Sequence, residues 1–162
     1  MYKKTILLII SFLMLTMPVS AKNANLEKME DSLAKGYLAA SKNDIDAAFD
    51  YFTKSLSFAN KTKNWKGFVD AGCAFSALGK PKKALGPFKN AYNIAASQRD
   101  WRGLVAVSYA YASLPKNMES KKNALSALNV ALKIANRKKD WLGLQEITKA
   151  FHKFGEKDMA KK

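Results

Sequence analysis

The chain is short of the residues that most chemistry requires. It has one histidine, His152, and one cysteine, Cys73. A zinc or haem site needs ligands that such a chain lacks, and an internal disulfide needs a second thiol. No Gly-rich phosphate loop, metal-spaced cluster or nucleophile elbow occurs. His152 has no acidic partner set apart by sequence and reads as a polar residue on a helix surface. Cys73, between Gly72 and Ala74, reads as a buried small hydrophobe. The expectation is a protein that is not an enzyme and uses no cofactor or metal.

Acidic residues are also scarce, 13 against 28 Lys and Arg, for a formal net charge of +15. The long apolar run is limited to Ile6–Met17, well short of the ~20 residues that cross a bilayer as a helix. Lys3 and Lys4 precede it and Pro18-Val19-Ser20-Ala21 follow it. That order predicts a signal peptide over residues 1–21, cleaved after Ala21, with a retained N-terminal anchor as the alternative. No cysteine follows the run, which argues against a lipid-anchored lipoprotein. A single domain would occupy residues 22–162, periplasmic or secreted, with 26 basic residues against 13 acidic ones. Export would set that charge among anionic lipids and envelope polymers, and no nucleic-acid partner is expected.

What the chain has in quantity is repetition. Phe58-Ala59…Asn64-Trp65-Lys66-Gly67 recurs as Ile94-Ala95…Asp100-Trp101-Arg102-Gly103 and as Ile134-Ala135…Asp140-Trp141-Leu142-Gly143. The tryptophans stand 36 and 40 residues apart, the longer interval reflecting an insertion around Asn117–Ser120. Counting from each Trp, and from Met29 in the first copy, aligns Gly36, Gly72, Ser108 and Thr148, then Ala39, Phe75, Tyr111 and Phe151. Asn43, Gly79, Pro115 and Gly155 align as stops, and Ala48, Ala84, Ala124 and Ala160 open the partner helices. Apolar residues within each copy keep helical spacing, as in Leu125, Leu128, Ala131, Leu132 and Ala135. Asn64, Asp100 and Asp140 suit N-caps, and Gly79 followed by Pro81 ends one helix and begins another. A period in this range means stacked units that cannot bury their apolar faces alone.

The pattern resembles the tetratricopeptide repeat. Its signature appears as Phe68-x2-Ala71-Gly72-x2-Phe75…Ala84-x3-Phe88 and as Leu104-x2-Val107-Ser108-x2-Tyr111…Ala124-x3-Leu128. Gly36…Ala48-x3-Phe52 and Leu144-x2-Ile147-Thr148-x2-Phe151 are partial copies. The long second helix looks like the subtype found in kinesin light chains. Two features depart from the family: each Trp lies three residues before the usual large residue, and the closing Pro is absent. The resemblance implies an all-α, right-handed α-α superhelix of about 3.5 repeats and seven helices, near 26–42, 44–60, 65–79, 81–97, 101–114, 120–137 and 141–154. Pro87 should kink the fourth helix and leave its face loosely packed.

The resemblance also implies a concave groove lined by the first helix of each pair. By helical spacing it would hold Leu33, Tyr37 and Ala40; Lys66, Val69, Asp70 and Cys73; Arg102, Val105 and Tyr109; and Gln145, Glu146 and Lys149. Tyr37 and Tyr109 would be the anchors, being aromatics with a polar handle. The Lys/Asn/Arg set with which some relatives clamp a carboxylate is not recognisable, since Val69, Cys73, Val105 and Ala106 occupy such places. Such a groove would take a peptide or helix of an envelope protein. Basic residues cluster at the turns, at Lys61, Arg99 and Arg137–Lys139 and again at Lys80, Lys82, Lys83, Lys116, Lys121 and Lys122. They leave open docking on an anionic polymer or lipid surface. The tryptophans should plug the junctions between helix pairs, with a stacking platform for a sugar or base as the alternative. Self-association through an end exposing Leu142 and Phe154 is a further expectation.

Overall fold

Helix boundaries follow from local chemistry. A computed structural model describes residues 19–115 and 119–154 and, among these, seven helices. They are α1 Val19–Ser41, α2 Ile45–Thr62, α3 Trp65–Ala77, α4 Pro81–Ser97, α5 Trp101–Ala112, α6 Ser120–Arg137 and α7 Trp141–Lys153. The apolar run of the expected signal peptide, the centre of the insertion, Gly155 and Ala160 lie outside the described residues. No described helix is long and apolar enough to cross a membrane.

The expected caps are in place. Asn64 accepts from Gly67 N at 3.2 Å, Asp100 from Arg102 N and Gly103 N, and Asp140 from Gly143 N at 2.9 Å. Pro81 stands at the first turn of α4, where its missing N–H is no loss. The even helices end without the glycine that a left-handed cap favours. Lys63 and Arg99, after α2 and α4, and Lys139, after α6, take φ of 51°, 51° and 52°. The next amide in each case bonds back to Ala59, Ala95 or Ala135, so otherwise orphaned helix carbonyls are satisfied.

Packing runs strictly along the chain. α1 pairs with α2, α3 with α4 and α5 with α6, and successive pairs join through α2–α3, α4–α5 and α6–α7. Every substantial contact joins helices at most two apart in chain order. The apolar interior is accordingly two clusters, with Trp65, Tyr92 and Phe154 packed against both. Odd helices meet their odd neighbours at each step, whereas among the even helices only α4 and α6 do so to a comparable extent. The fold is an all-α stack of sequential antiparallel helix pairs.

Close approach within a pair depends on small residues facing large ones. A Cβ on Gly36 would lie 2.5 Å from the Phe52 ring, and one on Gly72 would run into Phe88. Both phenylalanines are fully buried. The third pair carries Ser108 and Leu128 at these positions, also fully buried, a larger residue on one side set against a smaller one on the other. Where a kink is expected, Pro87 is buried inside an unbroken α4. A surface cleft of about 650 Å3 opens beside Gly86 and Pro87, between α2 and α4.

Candidate interaction surface

The tryptophans do more than fill space. Trp101 is 2% exposed, and its Nε1–H donates to Asp140 Oδ2 at 2.7 Å while Asp140 Oδ1 caps α7. Trp65 repeats the arrangement, donating to Asp100 Oδ2 at 2.9 Å while Oδ1 caps α5. Each aspartate therefore ties one repeat's indole to the start of the next repeat. Glycine completes the joint: a Cβ on Gly103 would lie 2.8 Å from the Trp65 ring, and one on Gly143 would lie 2.7 Å from the Trp101 ring. Arg102 covers Trp101 with its guanidinium 4.4 Å from the ring centroid. The Asp140 carboxyl is held below the usual carboxylate range, first by the Gly143 amide and then by the Trp101 indole.

The first joint differs where it should. Met29 takes the place of Trp, has no N–H to donate, and faces Gly67. The cap there is Asn64 rather than Asp. The expectation that each Trp plugs a junction thus holds for Trp65 and Trp101 and fails for Trp141. That ring is 78% exposed, and Leu142 beside it is 70% exposed.

The residues expected to line a groove fall into two groups. On α1 and α3, Tyr37 reaches Asp70, its hydroxyl donating to the backbone O at 3.5 Å. Burial pushes the Asp70 carboxyl up, and nearby Lys66 partly opposes it. Burial, then the Asp70 charge, raises the Cys73 thiol and the Tyr37 hydroxyl as well. Cys73 is half-buried, not the fully buried residue its neighbours suggested, and with Val69 it packs on the edge of the first core cluster. Leu33, placed on this face by helical spacing, is core at 7% exposed.

On α5 and α7, Tyr109 packs edge-on against Phe154 with ring centroids 5.5 Å apart, and Lys153 Nζ lies 4.9 Å from its ring. Val105 packs on the second cluster, while Gln145 and Lys149 are exposed. Arg102 is drawn instead to Trp101. His152 is exposed, as its lone position suggested. Among the described residues no group of three His, Cys, Asp or Glu side chains is placed to hold a metal ion.

The main clefts lie elsewhere, around the even helices. One of about 420 Å3 between α4 and α6 includes Tyr92, Asn123 and Ser126. Another, of about 360 Å3, is rimmed by Arg99, Lys133, Arg137 and Lys138 over a floor of Ala96, Val130 and Ile134. The exposed large hydrophobics Tyr37, Leu38, Tyr109, Trp141 and Leu142 all stand on odd helices. Sequence reasoning did not single out Leu38, nor the second role of Asp100 and Asp140. The latter had a signal: Asp follows a repeat that contains Trp, and Asn follows the one that contains Met. Compared with known proteins, the chain matches no family model and no curated sequence.

Proposed function

We propose that the protein is a non-enzymatic interaction scaffold, a tetratricopeptide-type repeat exported to the envelope, whose odd-helix face holds a peptide or helix of another envelope protein. One observation carries this reading: among the described residues, the large apolar side chains left exposed away from the Trp141–Leu142 turn are Tyr37, Leu38 and Tyr109, on α1 and α5. Grouped exposed apolar residues mark interaction surfaces more often than chance scatter does. Odd helices meet one another at every step of the stack, and Tyr37 and Tyr109 would anchor the bound segment. Recognition would rest on shape and burial, with no reaction centre.

The test is capture from envelope extract by wild-type protein and by the Tyr37→Ala/Tyr109→Ala double variant, with circular dichroism as the control for fold. The reading expects specific partners lost by a variant that still folds. An unchanged set of partners on a folded variant refutes it.

A second reading has its own support in the basic cleft of Arg99, Lys133, Arg137 and Lys138, which no acidic side chain lines. Cations around an apolar floor suit an anionic lipid or envelope polymer. Binding to phosphatidylglycerol vesicles would then weaken steeply as salt rises, because screening shortens the reach of exposed charges. Binding independent of ionic strength excludes it.

A further inference from the structure

The joints inside the stack define what an exposed tryptophan of this kind accepts. Each internal joint has three parts. The indole Nε1–H meets the Oδ2 of an N-cap aspartate. The ring lies against a glycine three residues after that aspartate. A side chain two residues before the aspartate donates to the carbonyl of the left-handed turn residue: Gln98 Nε2 to Lys63 O and Lys138 Nζ to Arg99 O, both at 2.8 Å. The incoming element therefore opens Gln/Lys-x-Asp-x-x-Gly.

Trp141 presents the same three receptors unfilled. Its ring is 78% exposed, and no acceptor among the described residues meets its indole N–H. Lys139 has the same left-handed turn as Lys63 and Arg99, and no donor among the described residues reaches its carbonyl. A second observation marks the same place. The residue after Trp is Lys66 or Arg102 in the interior but Leu142 here, 70% exposed. An apolar side chain thus stands beside a bare indole where the inner repeats carry a cation.

We propose that the Trp141 end is a docking site for the start of an α-hairpin on a partner protein, recognised by an N-cap aspartate, a glycine three residues on and a Gln or Lys two residues before. A second copy of this chain does not supply that element. Asp100 and Asp140 already hold Trp65 and Trp101, and Gln98 and Lys138 are engaged. In register with Asn64 and Gly67, the first repeat carries Lys28 and Asp31, neither of the required type. The basic surroundings, Arg137, Lys138 and Lys139, favour an incoming carboxylate and oppose a like-charged copy.

The test uses the full chain, isotopically labelled, and a stable helical-hairpin protein whose first helix opens Lys-x-Asp-x-x-Gly. A matched control opens Lys-x-Ala-x-x-Val. The indole N–H resonance of Trp141, assigned with Trp141→Phe, should move saturably toward those of Trp65 and Trp101. The control should bind about tenfold more weakly or worse, the loss expected for a charge-assisted hydrogen bond. Tyr37→Ala/Tyr109→Ala protein should bind the hairpin as well as wild type, which separates this site from the odd-helix groove. Failure of the resonance to move, or equal binding of the control, overturns the proposal. So does dimerisation of the chain through Trp141, or an indole already protected from exchange in the free chain because residues 155–162 cover it.

Discussion

Replacing Trp101 with alanine and, separately, Trp141 with alanine sets one motif in two environments. Burying an indole removes roughly 150–250 Å2 from water, worth about 4–6 kcal/mol at ~25 cal/mol per Å2. The compact denatured state lowers that somewhat. Trp101 is 2% exposed, and nothing beneath it can swell to fill the space because its neighbour there is Gly143. Trp101→Ala should therefore cost about 4 kcal/mol, within the range of core aromatic truncations. For a chain of this size that lowers Tm by roughly 10–15 °C. Trp141 is 78% exposed, so Trp141→Ala should cost no more than about 1 kcal/mol by the same arithmetic. Urea unfolding followed by far-UV circular dichroism gives both values. Equal losses at the two positions would refute the reasoning, as would a Trp101→Ala protein as stable as wild type.

Two glycines should respond to alanine to different extents. Gly103→Ala sets a Cβ 2.8 Å from both the Trp65 ring and the Ala95 Cβ, and should lower the urea midpoint. Gly86→Ala meets nothing within 4 Å beyond its chain neighbours, but Pro87 follows it and its ring disfavours helical backbone at a residue bearing a Cβ. The ordinary gain of about 0.5–1 kcal/mol for glycine within a helix should therefore be cancelled and the midpoint little changed. Acid titration of stability separates two aspartates. The Asp140 pKa is depressed in the folded state, so its contribution is present at neutral pH and lost as pH falls below about 4; Asp140→Asn should flatten that acid limb. The Asp70 pKa is raised by burial, so Asp70→Asn should stabilise at neutral pH and bring no gain once both states are protonated.

Four helix starts were legible because they are local: Asn64, Asp100, Asp140 and Pro81 carry their chemistry within one turn, whereas α1, expected from 26, runs from Val19. Ends were less so. Expected stops at 79 and 114 fell at Ala77 and Ala112, because the last turns tighten to bonds three residues back, Gly79 N to Ser76 O and Leu114 N to Tyr111 O. The left-handed turns at Lys63, Arg99 and Lys139 escaped notice, since propensity points to glycine at such a place and these are long cations. Pairing of small with large residues at Gly72 and Phe88 was readable from the repeat register.

The joints were not readable in full. That Asp140 caps one helix and holds an indole from another depends on a contact 39 residues away. Only the alternation of Asn after Met with Asp after Trp hinted at it. Trp141 was misread because equal sequence position does not give equal burial. Among the described residues no aspartate and glycine meet its ring as they meet the other two. Leu33 was misassigned because α1 packs on both α2 and α3, which widens its apolar face beyond a single stripe.

The claim beneath all of this is that each hairpin is a unit added to a stack, joined to the next by an indole, an aspartate and a glycine. A chain in which residues 101–140 are duplicated in frame after Asp140 tests it directly, because the insertion preserves every joint. Thermal unfolding by circular dichroism should then show helicity increased in proportion to length and a Tm no lower than wild type. Loss of the cooperative transition, or a melt well below wild type, would mean that the helices share one closed core.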